Sequence, residues 1–114
     1  MASTENLPQK APHGAEGQFP AVGHVYQVDF GVFVADLHFE SETKMTYTLP
    51  DGGSETVKTT VIQIRSGVYM VYWQESNKST VVHIEDYEKG IVYTNITQND
   101  LTFENLKGTL KKLK

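Results

Sequence analysis

A chain of 114 residues with 39% hydrophobic and 21% charged side chains has room for one folded domain, and it is too apolar for a disordered protein. The net charge is −4, and the basic residues are scattered except in the final run "LKGTLKKLK", which we interpret as a solvated terminus rather than a weak anion-binding site, so we expect no nucleic acid partner. The absence of cysteine excludes disulfides, thiolate catalysis and cysteine-ligated metals.

The first 18 residues differ in composition from the rest of the chain. They hold two prolines and two glycines among polar side chains, without apolar periodicity, which is typical of a flexible tail. They also lack the apolar core of a signal peptide, and no later run approaches the roughly 18 apolar residues that span a bilayer. We therefore expect a disordered tail over 1–18, one domain over 19–114, a cytoplasmic location and no membrane contact.

From Phe19 onward, short runs of β-branched and aromatic residues alternate with turn residues. In chain order these runs cover residues 24–31, 33–41, 44–50, 55–65, 68–75, 79–87, 90–97 and 101–113. The segments between them mostly carry glycine, asparagine or aspartate, which tight hairpin loops need. The pattern predicts an all-β fold, an eight-stranded antiparallel up-and-down barrel, because closure removes both exposed sheet edges.

An eight-stranded barrel has an interior that is either filled by side chains or just wide enough for one small ligand. Alternate residues of a strand share a face, so Tyr26, Val28 and Phe30 are predicted to face inward together. For the run 68–75, alternation does not show which face points inward. One set of alternate side chains, Tyr69, Val71 and Trp73, is about as large and apolar as the other, Val68, Met70 and Tyr72.

If the set containing Trp73 faces inward, Glu75 follows it inward at the end of the strand, near a barrel mouth. His83 would then face the same side from the next strand. A carboxylate under an apolar wall has a raised pKa, which suits a proton donor, a proton acceptor or a ligand anchor. The alternatives are that Glu75 opens a polar loop and points to water, and that His83 is a packed or surface histidine.

Other polar side chains give weaker indications. Tyr26, Tyr47, Tyr69 and Tyr93 would be available to hydrogen-bond a ligand inside the barrel, although tyrosine is also common in strands for packing alone. Each His-x-Glu pair supplies only two ligands, whereas a metal site needs three or four, so we expect no metal and no cofactor.

The runs "FPAVGHVYQVDFGVFVADLHF", "SGVYMVYWQE", "TVVHIEDYEKGIVYTNIT" and "GTLKKL" resemble the MoaF-like family of small calycin or lipocalin-like barrels. The resemblance covers about residues 19–113. The fold is similar to that of the phenolic acid decarboxylases, which share the pattern formed here by Val68, Tyr69, Trp73 and Glu75. That likeness implies that Glu75 faces the barrel interior and takes part in catalysis. It also implies that the protein is a dimer.

The chain departs from the decarboxylases at three positions. Their chemistry uses two tyrosines and an arginine, whose positions fall near Val28, Phe30 and Gly52 here. A substrate carboxylate left unpaired in an apolar barrel would cost several kcal/mol. The sequence therefore disfavours decarboxylation of a phenolic acid.

Three hypotheses remain. The first is a barrel that binds a small apolar or aromatic ligand, lined by Tyr26, Phe30, Tyr69, Trp73 and Tyr93 and oriented by Glu75 and His83. The second is a small cofactor-independent enzyme, an isomerase, cyclase or lyase, with Glu75 as general acid or base and His83 as its partner. In the third, the barrel is filled and acts through its surface. In that third case, the outer face of the run 68–75 would be available for burial in a homodimer.

Overall fold

The computed structural model describes residues 19–114, and every regular element in that part of the chain is a β-strand. The strands are β1 (Val25–Asp29), β2 (Val34–Ser41), β3 (Lys44–Thr48), β4 (Ser54–Lys58), β5 (Thr60–Arg65), β6 (Val68–Gln74), β7 (Thr80–Asp86), β8 (Ile91–Thr97) and β9 (Phe103–Lys112). They form one antiparallel sheet in the order β4-β3-β2-β1-β9-β8-β7-β6-β5. Within residues 19–114 no helix is long and apolar enough to cross a membrane.

The sheet curls into a nearly closed barrel. All neighbouring strands are sequential hairpin partners except β1 and β9, which pair in a register that places Val28 opposite Leu110. This pairing joins the first described strand to the last. The two ends of the sheet, β4 and β5, are consecutive in the chain but are not paired with each other. The predicted all-β antiparallel barrel is therefore confirmed.

Residues 19–114 contain nine strands rather than the eight expected, because the run 55–65 is broken at Thr59. Thr59 is buried, its N–H donates to Thr43 O at 3.1 Å, and its hydroxyl donates to Glu42 O at 2.8 Å. These bonds turn the chain toward the β2–β3 hairpin and separate β4 from β5. The amino-acid types on either side of Thr59 are all compatible with one continuous strand, so the break depends on contacts with another part of the fold.

Antiparallel hairpins place alternate loops at the same end of a barrel. The loops 30–33, 49–53, 75–79 and 98–102 lie at one end, which we call the mouth. The opposite end, called the closed end here, is covered by the segment that precedes β1. Phe19 packs edge-on against Phe39, Tyr69 and Tyr87, with ring centroids 4.9, 5.1 and 5.6 Å apart. The barrel is thus accessible mainly from the mouth.

Three of the mouth loops, Leu49–Gly53, Glu75–Ser79 and Gln98–Thr102, have the same hydrogen bonds. In each, the first N–H donates to the fifth carbonyl and the fourth N–H donates to the first carbonyl, all at 2.8 Å. The fifth N–H donates to the third side chain, which is Asp51, Asn77 or Asp100. The fourth residue has positive φ, which suits Gly52 but is less favourable for Lys78 and Leu101.

The inward faces of the strands largely follow the predicted alternation. Val28 of β1 and Phe30, just beyond that strand, are buried, and so are Tyr69, Val71 and Trp73 of β6. Tyr72, on the opposite face of β6, is 39% exposed. The ambiguity between the two faces of β6 is thus resolved in favour of an inward Trp73.

The expectation that Tyr93 lines the interior was wrong. Val92 and Thr94, its neighbours on β8, are 0% and 3% exposed and face inward. Alternation then sends Tyr93 to the outer face, where it is 51% exposed and lies 5.7 Å from the ammonium group of Lys107.

Candidate functional site

A cavity of about 400 Å³ extends from the mouth into the barrel. Its walls are mostly apolar, and its polar groups are grouped on the strands and loops around the mouth. The apolar lining includes Val28, Phe30, Ala35, Leu37, Trp73 and Val81; the polar lining includes Tyr47, Glu75, Asn77, Gln98, His83 and Glu104. A concave apolar site with a few convergent polar groups is the usual form of a small-molecule site.

Trp73 and Glu75 form one side of this cavity. They are two residues apart on and just beyond β6, so alternation gives them the same face, and Trp73 Nε1 donates to Glu75 Oε2 at 3.2 Å. Burial raises the pKa of Glu75, and the nearby negative charge of Glu55 raises it further, while the hydrogen bond from Trp73 acts in the opposite direction. Glu75 therefore retains its proton to a higher pH than an exposed glutamate does.

Glu55 connects β4 to the same corner of the mouth. Its Oε1 accepts a hydrogen bond from the Tyr47 hydroxyl at 2.8 Å, and its Oε2 accepts one from the backbone N–H of Ser76 at 2.9 Å. The pKa of Tyr47 is raised by burial, by the hydrogen bond to Glu55 and by the charge of Glu75. Two glutamates, Glu55 and Glu75, thus give this corner a negative character.

A buried chain of polar side chains runs along β7 from the cavity toward the closed end. His83, Glu85 and Tyr87 occupy alternate positions, so all three face inward. His83 Nδ1 lies 2.8 Å from Glu85 Oε2, and the Tyr87 hydroxyl donates to Glu85 Oε1 at 2.6 Å. Glu85 is 0% exposed. Burial and the charge of Glu85 raise the pKa of Tyr87 well above its usual value.

His83 links this chain to the cavity. Its ring packs edge-on against that of Trp73, with centroids 4.9 Å apart, and lies 6.0 Å from that of Phe30. Thr94 lies directly opposite His83 in the β7–β8 pair and is 3% exposed. Its hydroxyl has no hydrogen-bond partner among residues 19–114.

The structure brings together four of the seven site residues predicted from sequence. Phe30, Trp73, Glu75 and His83 all line the cavity. Two others, Tyr26 and Tyr69, are not part of its lining and pack against Tyr87 instead, with ring centroids 5.0 and 6.0 Å from it. They belong to the aromatic cluster of the closed end, because alternation fixes the face of a residue but not its depth in the barrel. Tyr93 lies on the outer face.

Sequence reasoning missed Glu55, Glu85 and Tyr87 as members of the polar network. The period-two series from His83 to Tyr87 was the available signal for the last two, since it places both on the face of His83. Glu55 lies opposite Tyr47 in the β3–β4 hairpin, so the turn residues between the runs 44–50 and 55–65 were a signal for that pair. Nothing in the sequence indicates that Glu55 meets Ser76. Within residues 19–114, no three histidine or acidic side chains are grouped so as to hold a metal ion.

The model of the MoaF-like family matches residues 22–111. The chain belongs to the MoaF-like family. The matched region includes the mouth, the cavity and the whole His83 to Tyr87 series, so these features lie inside the MoaF-like domain. This confirms the resemblance seen in the sequence.

Among solved structures, the MoaF-like chain is similar to one described as a "putative beta-lactamase from Burkholderia vietnamiensis". The two are 29% identical, with a TM-score of 0.79, and the match covers 84% of this chain and 98% of the other. A comparison with curated proteins found no match.

Proposed function

We propose that this MoaF-like protein binds one small, largely aromatic ligand that is neutral or positively charged. The observation that carries the proposal is the cavity itself, which combines apolar walls with Glu75, Tyr47 and His83 as hydrogen-bonding groups. A calycin-like barrel with an open mouth and a covered opposite end is suited to this kind of binding.

The charge of the lining supports a further restriction on the ligand. Glu75 and Glu104 line the cavity, Glu55 lies beside Glu75, and the lining contains no lysine or arginine among the described residues. A ligand carboxylate would enter this site without a cationic partner, at a cost of several kcal/mol. An amine or hydroxyl donor would instead find acceptor oxygens at Glu75.

The test uses three matched probes, benzylamine, benzyl alcohol and benzoate, with thermal unfolding and with the fluorescence of Trp73, which is the single tryptophan of the chain. The amine and the alcohol are expected to raise the melting temperature and change the fluorescence in a saturable manner, whereas benzoate is expected to do neither. At about one hundred times the dissociation constant, a ligand stabilises the fold by about 2.7 kcal/mol.

Two variants sharpen this test. Glu75→Gln removes the charge of this side chain at the mouth. It is expected to weaken the binding of benzylamine more than that of benzyl alcohol, because only the amine forms an ion pair with Glu75. Tyr93→Phe changes the outer face and should leave all three responses as in the wild type. Preferential binding of benzoate would contradict the proposed ligand class.

The name of the Burkholderia vietnamiensis protein suggests a second assay, for hydrolysis of a chromogenic cephalosporin. We do not extend that activity to this chain, because β-lactam substrates carry a carboxylate and the cavity lining lacks a lysine or arginine among the described residues. We expect no hydrolysis above background, and turnover that disappears when Glu75 is replaced would overturn this view.

We also retain as proposals a cytoplasmic location and a homodimer that uses the outer face of β5 and β6. Ile62 and Ile64 are 44% and 54% exposed, and Ile62 lies opposite Met70 in the β5–β6 pair, with the exposed Tyr72 on the same face. An apolar patch beside an unpaired strand edge favours association. Sedimentation of the wild type and of Ile64→Lys tests this, with a monomeric wild type as the contradicting result.

A further inference from the structure

The polar chain along β7 goes beyond what ligand binding requires. Glu85 is a fully buried carboxyl group, and burying an ionised carboxylate is costly unless its oxygens accept hydrogen bonds. Both oxygens are hydrogen-bonded here, Oε1 to Tyr87 and Oε2 to His83. A filled barrel would be simpler with apolar side chains at these positions, because replacing a buried charged pair by apolar residues is often neutral or stabilising.

The hydrogen bonds determine which ring nitrogen of His83 carries the hydrogen and which one has a free lone pair. The Tyr87 hydroxyl donates to Glu85 at 2.6 Å, a length typical of a hydroxyl bonded to an ionised carboxylate. An ionised carboxylate only accepts, so the hydrogen between His83 and Glu85 belongs to Nδ1. In a neutral imidazole, Nε2 then has no hydrogen and is the basic nitrogen.

We propose that His83 is a general base of this cavity and that Glu85 is its positioning residue, so that the protein transfers a proton from the ligand that it binds. The proposal rests on the proposed function, since the ligand must occupy the same cavity. Glu85 holds the ring in the tautomer with a free Nε2 and stabilises the imidazolium that forms when His83 accepts a proton. Tyr87 fixes the carboxylate from the other side.

The cavity lining favours a neutral or cationic aromatic substrate. An imidazole is a weak base, so the C–H from which it takes the proton must be acidic and lie next to an electron-withdrawing group. In the step, the C–H bond breaks and its proton goes to His83 Nε2. The electron pair of that bond forms a new double bond to the adjacent atom, while the π bond of the electron-withdrawing group opens and leaves negative charge on the outer atom of that group. Glu75 in its protonated form gives its proton to the atom where negative charge accumulates. The result is an isomer of the substrate, and solvent at the mouth returns the proton from His83 to Glu75.

The contacts around Trp73 bring the two groups to one cavity. The Trp73 ring packs against His83, and its Nε1 donates to Glu75, so acid and base both contact the same indole. The raised pKa of Glu75 increases the fraction that carries a proton to donate.

The first experiment needs no ligand. Nitrogen-15 NMR of the histidine rings reports directly which ring nitrogen carries the hydrogen. For wild-type His83 we expect the hydrogen on Nδ1, and a hydrogen on Nε2 would overturn the proposal. In Glu85→Gln, the carboxamide oxygen accepts from Tyr87 and its NH₂ group donates to Nδ1, so the tautomer should switch. An unchanged tautomer would overturn the positioning role of Glu85.

The second experiment measures proton transfer with nitrobenzisoxazole, a neutral aromatic probe. Removal of its ring C–H proton by a base forms a nitrile, breaks the N–O bond and releases a coloured nitrophenolate, without a further reactant. The wild type is expected to open the ring faster than the same concentration of imidazole. His83→Gln should lower the rate by about a hundredfold, within the usual contribution of a general base. His38→Gln, at an exposed histidine of β2, should retain it.

Quenching of Trp73 by the probe separates the two possible failures. Saturable quenching without accelerated ring opening would overturn the proton-transfer proposal while leaving the binding pocket in place. A lack of quenching would count against the pocket of the proposed function and, with it, against proton transfer from a bound ligand. The tautomer of His83 would still test the positioning role of Glu85 separately.

Discussion

Trp73 near the end of β6 and Glu75 just beyond that strand are hydrogen-bonded to each other, because Nε1 of the indole donates to Oε2 of the carboxylate at 3.2 Å while both side chains face the cavity. A largely apolar strand is thus followed directly by a carboxylate that is half-buried and faces the cavity. The same indole contacts His83, so the main polar groups of the cavity share one aromatic neighbour.

Replacing Glu75 by glutamine is expected to change the pH dependence of stability. The pKa of Glu75 is raised from 4.5, so between that value and its raised pKa the folded state binds more protons than the unfolded state. The free energy of unfolding therefore falls as pH rises through this window. Glu75→Gln should remove this contribution, giving a flatter profile and at least wild-type stability at neutral pH. Denaturant titrations at a series of pH values test this. The same dependence of the unfolding free energy on pH in both proteins would contradict it.

Replacing Tyr87 by phenylalanine should destabilise the fold by about 1.5–3 kcal/mol, because it removes a donor from the buried carboxylate of Glu85. The ring packing against Phe19 is retained. Urea unfolding measures the loss, with Tyr93→Phe as a control at an exposed tyrosine that should change stability by less than about 0.5 kcal/mol. Equal effects in the two variants would show that Glu85 does not depend on Tyr87.

Replacing Thr94 by valine should raise the free energy of unfolding by about 1 kcal/mol. The reason is that the Thr94 hydroxyl is buried without a partner among residues 19–114, while valine has nearly the same shape without the polar atom. A shift of the urea midpoint to higher concentration, with an unchanged slope, is the expected result. Destabilisation of similar size would mean that the hydroxyl is hydrogen-bonded in solution.

Replacing Gly108 by alanine should cost about 1–3 kcal/mol. An added methyl group at this position would press on the backbone of Asp29 and on the ring of Phe30, where β9 passes β1. Amide hydrogen exchange should show faster exchange in β1 and β9 than in β6 and β7. Gly53→Ala, in a mouth loop, is the control, because its methyl group would meet only side chains, those of Asp51 and Leu49. Equal protection of all strands would contradict the close approach.

Replacing Leu101 by glycine should stabilise the protein by up to about 1 kcal/mol. Leu101 has a φ of 73° and is 79% exposed, so glycine relieves backbone strain with little loss of packing. Gly52→Ala, at the equivalent position of the β3–β4 loop, should have the opposite sign. Thermal unfolding of both variants provides the comparison, and destabilisation by Leu101→Gly would show that the leucine side chain makes a contact that offsets its strain.

The division between inner and outer faces was readable in the sequence wherever one face of a strand is more apolar than the other. Val28 and Phe30 are examples, because they occupy alternate positions and therefore share one apolar face, which is buried. Tyr93 was misplaced because Val92 and Tyr93 are both compatible with a core position. In the structure, Val92 and Thr94 are buried, so the alternate residues of β8 that include Tyr93 face outward.

The sequence by itself determined the β-sheet class, the hairpin connections and the family, since these depend on local alternation, turn residues and shared motifs. Only the tertiary structure decided how deep each inward residue lies, because depth depends on strand register around the barrel. For this reason Trp73 and His83 line the cavity, whereas Tyr69 packs at the closed end. Strand pairing also brings Glu55 of β4 to the mouth beside Glu75, although the two residues are 20 positions apart in the chain.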